Sequence, residues 1–151
     1  NEVAIQIDAN IDDLDPRVWP TVIAAALDAG ALDAWVSPIV MKKGRPAHTL
    51  SVLCRPDIVA TMRRVVFAQT STIGIREREV VRHVLRRTMS SVDVCGQSIR
   101  VKLASIDGEI VNRSVEWDDV IAAAAALERP ANEVLEAANA AAIDLSATGL
   151  G

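Results

Sequence analysis

Tyrosine is missing from this 151-residue chain, phenylalanine occurs once, and aromatic residues reach only 3%. So few rings cannot build a surface on which successive bases stack, which argues against sheet-type RNA or single-strand binding. Excess positive charge is also missing: the formal net charge is −4, the opposite of the basic footprint of a general nucleic-acid binder. Any anion site must therefore be local. Cysteine occurs twice, as Cys54 and Cys95, without a CxxC pair or a dense framework, so free thiols in a reducing compartment are expected. The two histidines, His48 and His83, stand far apart in sequence and read as structural residues rather than a catalytic pair or a Ni/Zn site. There is no 18-residue apolar run, no signal peptide and no initial methionine. The expectation is a cytoplasmic protein without membrane or nucleic-acid partners, with sequence missing upstream.

What the chain has in quantity is aliphatic residue. Half of it is hydrophobic, so Val, Ile, Leu and Ala must make the core, and a chain of this length buries about 70% of the surface its unfolded form exposes. Residues 2–8, EVAIQID, alternate Val3, Ile5 and Ile7 on one face, the period of a half-buried strand. Residues 16–29 place Trp19, Val22, Ile23, Ala26 and Leu27 at helical spacing and stop at Gly30. Pro20 forces that helix to begin near it or to bend. Residues 33–41 are strand-like but contain Pro38, which cannot donate to a ladder and so marks an edge strand or a bulge. Residues 49–54 form a cleaner strand, and residues 56–69 a second helix with Ile58, Met62, Val65 and Val66 on one face.

Residues 72–86 follow as a long fourth strand, bent near Gly74 or Glu77. Ile73, Ile75, Val81, His83 and Leu85 would face inward, and Arg76, Arg78, Arg82 and Arg86 outward. The order is βαββαβ, a ferredoxin-like unit over residues 1–87, with the second and fourth strands at the edges. Residues 88–151 form a smaller α+β unit. Its hairpin turns at Cys95-Gly96-Gln97, a second turn lies at Asp107-Gly108, and residues 118–127 and 130–143 are helices. The tail from Leu145 is expected to fray. The fold class is thus α+β, a ferredoxin-like unit followed by a β-hairpin and two-helix subdomain.

Two stretches carry chemistry. Residues 39–46, IVMKKGRP, put Lys42, Lys43 and Arg45 around a flexible Gly44, a local positive field suited to a phosphate-rich ligand. The same composition also suits a solvated hairpin tip. At the end of the first strand, Asp8, Asn10, Asp12, Asp13 and Asp15 supply hard oxygen donors within eight residues, where Mg²⁺ or Mn²⁺ could be held. Asp15, before Pro16, reads as a cap. Asp12 and Asp13 are left for a metal, or for a favourable position near a helix N-terminus without one.

Three stretches together, DANIDD at residues 8–13, MKKGRP at 41–46 and TSTIGIR at 70–76, resemble the C-terminal domain of LarC-type nickel-pincer cofactor biosynthesis proteins, the nickel insertion cyclometallases. The resemblance covers roughly residues 8–141. It implies a CTP- and divalent-metal-dependent lyase that inserts nickel into pyridinium-3,5-bisthiocarboxylic acid mononucleotide, giving the cofactor of lactate racemase. It also implies that this part binds the nucleotide and that a His-rich N-terminal domain, absent here, supplies nickel. Carried onto this sequence, Asn10, Lys42, Lys43, Arg45, Thr72 and Arg76 bind nucleotide, and Asp8, Asp12 and Asp13 bind Mg or Mn.

The sequence departs from the family where Asp8 and Ala9 replace the usual Glu-Thr, and where Arg17 replaces a Glu after the proline. A shorter carboxylate and a lost hydroxyl lower the affinity expected there. Residues 114–119, SVEWDD, lack the usual Pro before and Tyr after the Glu, in a segment read as structural.

No nucleophile is required by this chemistry. Four cations for phosphates and three carboxylates for a bridging metal suit catalysis by positioning and electrostatics. With the first and third strands taken as parallel, the basic turn and acidic loop do not automatically meet. Convergence would then need the long fourth strand or a neighbouring subunit. Exposed strand edges and high apolar content point to a homo-oligomer. The competing reading is a noncatalytic ferredoxin-like module that binds a small anionic effector or mediates assembly.

Overall fold

The computed structural model describes residues 2–146. The chain divides between Val84 and Leu85 into two compact units, rather than after Arg87. The tail beyond Ser146 lies outside the described residues.

The first unit contains β1 (Glu2–Ile11), α1 (Trp19–Asp28), β2 (Asp33–Met41), β3 (Arg45–Cys54), α2 (Val59–Gln69) and β4 (Arg76–Arg82). Its sheet has the order β2-β3-β1-β4, the ferredoxin-like arrangement with Pro38 on an edge strand. Pro20 causes no bend. It falls in the first turn of α1, where a missing N–H costs nothing, and a short 3-10 turn at Pro16–Val18 leads into it. Asp15 caps that turn, its carboxylate accepting from the Arg17 N–H at 3.0 Å. Gly30, at φ 96°, ends the segment.

Alternation along β1 sends Ile7, Ala9 and Ile11 to the helix side, where they join Leu50, Val52, Met62, Val66, Val22 and Trp19 in one buried core. Each fully buried large aliphatic side chain there contributes about 1.5–3 kcal/mol relative to exposure.

Two expectations fail here. β1 and β3 run antiparallel, Asp8 facing Ser51 and Ile11 facing His48. The reason lies in the connections. β2 and β3 form an antiparallel hairpin, while β1 reaches β2 through the α1 crossover and runs parallel to it, so β1 must oppose β3. The fourth strand is also shorter than residues 72–86. Only Arg76–Arg82 pairs with β1, and the chain from Arg86 belongs to another sheet. Of the residues expected to face inward, Ile75 packs against the core, but Ile73 is wholly exposed and Val81 59% exposed. Opposite Ile7, on the helix side, stands Glu77, which takes a bidentate hydrogen bond from Arg63 of α2 at 2.6 Å. At a sheet edge an ion pair over the rim replaces apolar cover.

The second unit contains β5 (Arg86–Val94), β6 (Gln97–Ile106), β7 (Glu109–Val115), α3 (Trp117–Leu127) and α4 (Ala131–Ala142). A three-stranded sheet, β5-β6-β7, stands where a hairpin with a following turn was expected. Both turns are two-residue, Cys95-Gly96 and Asp107-Gly108, with every φ positive. That backbone matches the twist of the strands it joins. Ile99, Val101 and Val120, with Val134 and Ala138, form its core. Cys54 is buried and Cys95 exposed, both as free thiols.

Candidate functional site

Antiparallel pairing puts three connections at one end of the first sheet: the exit of β1, the β2–β3 turn and the entry of β4. The acidic loop and the basic turn therefore meet within one unit. Arg45 Nη1 donates to Asp12 Oδ2 at 3.3 Å. Arg76 Nη2 donates to Asn10 Oδ1 at 2.8 Å, and Thr49 Oγ1 donates to the same oxygen at 2.8 Å. Neither an overlong fourth strand nor a neighbouring subunit is needed.

A cavity of about 230 Å³ at this end is lined by Asn10, Asp12, Asp13 and Thr72, with Ile11, Ser71 and Ile73. Asp13 accepts from Ser71 Oγ. Thr72 Oγ1 donates to the Gly74 carbonyl at 2.8 Å, which folds the loop before β4. Arg45 and Arg76 reach the end of β1 and the residue just beyond it through Asp12 and Asn10. Of the nine residues singled out from the sequence, six are thereby brought together: Asn10, Asp12, Asp13, Arg45, Thr72 and Arg76.

Lys42 and Lys43 occupy the turn next to Arg45 and line neither this cavity nor a second one beside it. Neither has an ion pair among the described residues. Lys43 adopts φ 62° and is followed by Gly44 at φ 69°. A lysine in the left-handed region costs roughly 1–2 kcal/mol. Non-glycine residues held this way concentrate at ligand-binding and switch segments.

Asp8 is placed differently. It points from the sheet face opposite the helices, accepting from Ser51 Oγ at 2.6 Å and from Gln6 Nε2 at 2.9 Å. Asp12, Asp13 and Asp8 thus share none of these partners. Among the described residues no three His, Cys, Asp or Glu side chains gather closely enough to hold a metal ion by themselves. A metal carried by a triphosphate needs less, because the phosphates supply much of its coordination and one or two carboxylates complete it.

Thr49, Ser51 and Ser71 were not among the residues the sequence singled out. The signal for the first two was present. Thr49 and Ser51 are two apart on one strand and alternate with the aliphatic Leu50 and Val52, so they share the face away from the core, and the β1–β3 register sets them against Asn10 and Asp8.

Fold and strand-end chemistry together define an α+β domain with a small cavity bearing carboxylates, hydroxyls and two arginines at its rim. The nickel insertion protein family matches residues 1–135, and the chain belongs to that family. A pyridinium-3,5-bisthiocarboxylic acid mononucleotide nickel insertion protein of Nocardioides sp. (strain ATCC BAA-499 / JS614) is 58% identical over 129 residues, covering 85% of this chain and 33% of that protein. A protein of Myxococcus xanthus (strain DK1622), named for nickel insertion, is 36% identical over 141 residues, covering 93% of this chain and 36% of its own length. The chain thus spans about a third of the length of the curated relatives it matches.

Among solved structures, the apo form of LarC2, the C-terminal domain of a cyclometallase involved in the synthesis of the NPN cofactor of lactate racemase, aligns with a TM-score of 0.85. Its identity is 28%, with 95% of this chain and 99% of that chain covered. A protein of Methanopyrus kandleri AV19 aligns at a TM-score of 0.58 and 26% identity, covering 93% and 86%.

Proposed function

We propose that this chain is the CTP-binding C-terminal part of an enzyme, of lyase type, that inserts nickel into pyridinium-3,5-bisthiocarboxylic acid mononucleotide to make the nickel-pincer cofactor of lactate racemase. The observation that carries the nucleotide part is the meeting of Asp12 with Arg45, and of Asn10 with Arg76, at one end of the sheet. Phosphate oxygens would take charge-assisted hydrogen bonds from Arg45 and Arg76, with Lys42 and Lys43 completing the positive rim. Asp12 and Asp13 would hold Mg²⁺ or Mn²⁺ on the phosphates. Such a metal bridges phosphate oxygens and neutralises their charge. Nickel is the substrate metal.

The Arg45–Asp12 contact is long and Arg45 is 60% exposed. Exposed pairs of this kind contribute about 0–1 kcal/mol, so a triphosphate can take Arg45 while a metal takes Asp12. Asn10, held by Thr49, aims Arg76. Asp8, whose carboxylate keeps lone pairs beyond its bonds from Ser51 and Gln6, could serve the metal while retaining them.

The protein is further taken to act as a homo-oligomer together with its N-terminal domain, because edge strand β2 exposes Val40 at 76% and carries unpaired backbone groups. Light scattering at micromolar concentration would count against this if it gave a monomer mass. Among the described residues no helix is long and apolar enough to cross a membrane.

The test of the nucleotide reading is calorimetric titration of the chain with CTP, ATP and GTP, with and without Mn²⁺. Metal-dependent binding, tightest for CTP, is expected. No binding by a folded chain would reduce the family relationship to ancestry.

A further inference from the structure

In the second unit, residues 120–127 read VIAAAAAL, with no polar side chain on any side of α3. A helix apolar all round is the pattern of a buried helix, yet only one side of this one is covered, where Val120, Ala123 and Ala124 join the unit's core. Trp117, Ile121 and Ala125, four residues apart, fall on one stripe along the exposed side. Trp117 is 52% exposed and Ile121 45%. Its neighbours are committed elsewhere. Glu116 pairs with Lys102 at 2.9 Å and Asp119 with Arg100 at 2.8 Å, so the entry to α3 is pinned to β6, while the indole between those carboxylates makes no ring contact among the described residues.

Around this stripe the charge has one sign. Residues 116–146 carry seven carboxylates and a single cation, Arg129, which itself lies 3.8 Å from Glu133. Asp118 and Glu128 have no ion pair among the described residues. The first is next to Trp117, and the second stands at the C-terminal cap of α3.

We propose that this face of α3 docks a basic amphipathic helix of a partner protein, its apolar side on Trp117 and Ile121 and its lysines or arginines toward Asp118 and Glu128. The inference is independent of the nucleotide reading, which concerns the first unit. Charge chooses the occupant. A second copy would bring the same carboxylates to the same stripe, and like charges across an interface oppose association. The anionic surface of a membrane meets the same opposition, and a cationic helix meets none. The size agrees: the stripe from Trp117 to Ala125 runs about 12 Å, or roughly two helical turns, and a docked helix is read through anchors three and four residues apart. Alanines beside the two anchors let a second backbone come close.

The probe is a fluorescein-labelled synthetic helix of leucine and lysine, about five turns long, titrated with the chain and read by anisotropy. The same helix with glutamate for lysine is the control. Saturable binding of the lysine helix and none of the glutamate helix is expected. Trp117→Ala should weaken it about tenfold and Ile121→Ala about threefold, with melting temperatures near the wild type because both side chains are half exposed. Glu128→Lys leaves the apolar stripe intact and should weaken it about threefold, more at low salt than at high. Val40→Ala, on the exposed edge of the first unit, should change nothing, which separates α3 from apolar surface at large. Equal affinity in the wild type and Trp117→Ala overturns the proposal, as does binding of the glutamate helix. So does a wild-type oligomer that Trp117→Ala dissolves, which assigns the face to a second copy, or co-sedimentation with anionic phosphatidylserine vesicles that Trp117→Ala abolishes, which assigns it to a membrane.

Discussion

Arg100 with Asp119 in the second unit, and Arg45 with Asp12 in the first, are the same pair of residue types in different conditions. Arg100 donates to Asp119 through Nε and Nη2, each at 2.8 Å, and its backbone N–H adds a third bond at 2.9 Å. Asp119 also lies in the first turn of α3, where the helix dipole favours a negative charge. Arg45 reaches Asp12 through one nitrogen at 3.3 Å. The arginines are equally exposed, at 60% each. What differs is commitment: the second pair is closed by geometry and joins β6 to α3, while the first is a single long contact beside a cavity. It is that looseness on which the proposed nucleotide reading rests.

The largest effect expected from this contrast is on ligand binding. Arg45→Ala or Arg76→Ala should weaken Mn²⁺-dependent triphosphate binding by about 1.5–3 kcal/mol for each charged hydrogen bond lost. Its thermal stability should barely change, because an exposed single contact contributes so little. Calorimetry and a melt on the same sample check both halves. A large drop in melting temperature would make this pair as structural as Arg100–Asp119 and break the comparison. Asp12→Asn and Asp13→Asn should act more narrowly, lowering affinity with Mn²⁺ present and leaving the metal-free value unchanged.

A smaller effect, of opposite sign in stability and binding, is expected at Lys43. Lys43→Gly removes a side chain from a left-handed backbone position and should stabilise the first unit by about 1 kcal/mol. Triphosphate affinity should fall at the same time. Denaturant melts and calorimetry would show whether the strain at φ 62° accompanies binding. Weaker folding, or unchanged affinity, would make the turn a plain hairpin tip.

Much of this was legible in the residues. Val3, Ile5 and Ile7 announced β1, Pro38 announced an edge, and the basic turn and acidic loop were both visible as local compositions. The direction of β3 against β1 was written less openly. It follows from a crossover and a hairpin in series, a property of connections and not of any one segment. Residues 72–86 misled because alternation signals a strand wherever it occurs, and does not say which sheet takes it. The chain spends its alternating pattern on two sheets, with β4 in one and β5 in the other. Glu77, polar on the helix side, is intelligible only once Arg63 of α2 is seen beside it. The second cavity was not legible at all, because Leu14, Pro38, Pro46 and His48 come together only when the turn closes.

The smallest and most local expectation concerns acid. The Arg100 hydrogen bonds, first from its side chain and then from its backbone N–H, hold the Asp119 carboxyl down to about 2 from an ordinary 3.8. Because the folded-state value is the lower one, the group's contribution to stability is fully present above about pH 4. It is lost as pH falls through 2, where the folded carboxylate finally takes its proton. Glu77 shifts in the same direction under the Arg63 hydrogen bonds, and so protects the first unit in the same sense. A carboxyl titration followed by NMR should therefore find Asp119 still charged at pH 3. Asp119→Asn should remove the corresponding slope from the second unit's acid unfolding curve. An Asp119 that titrates near 4 would mean that the Arg100 fork opens in solution, leaving that pair as loosely held as Arg45 and Asp12.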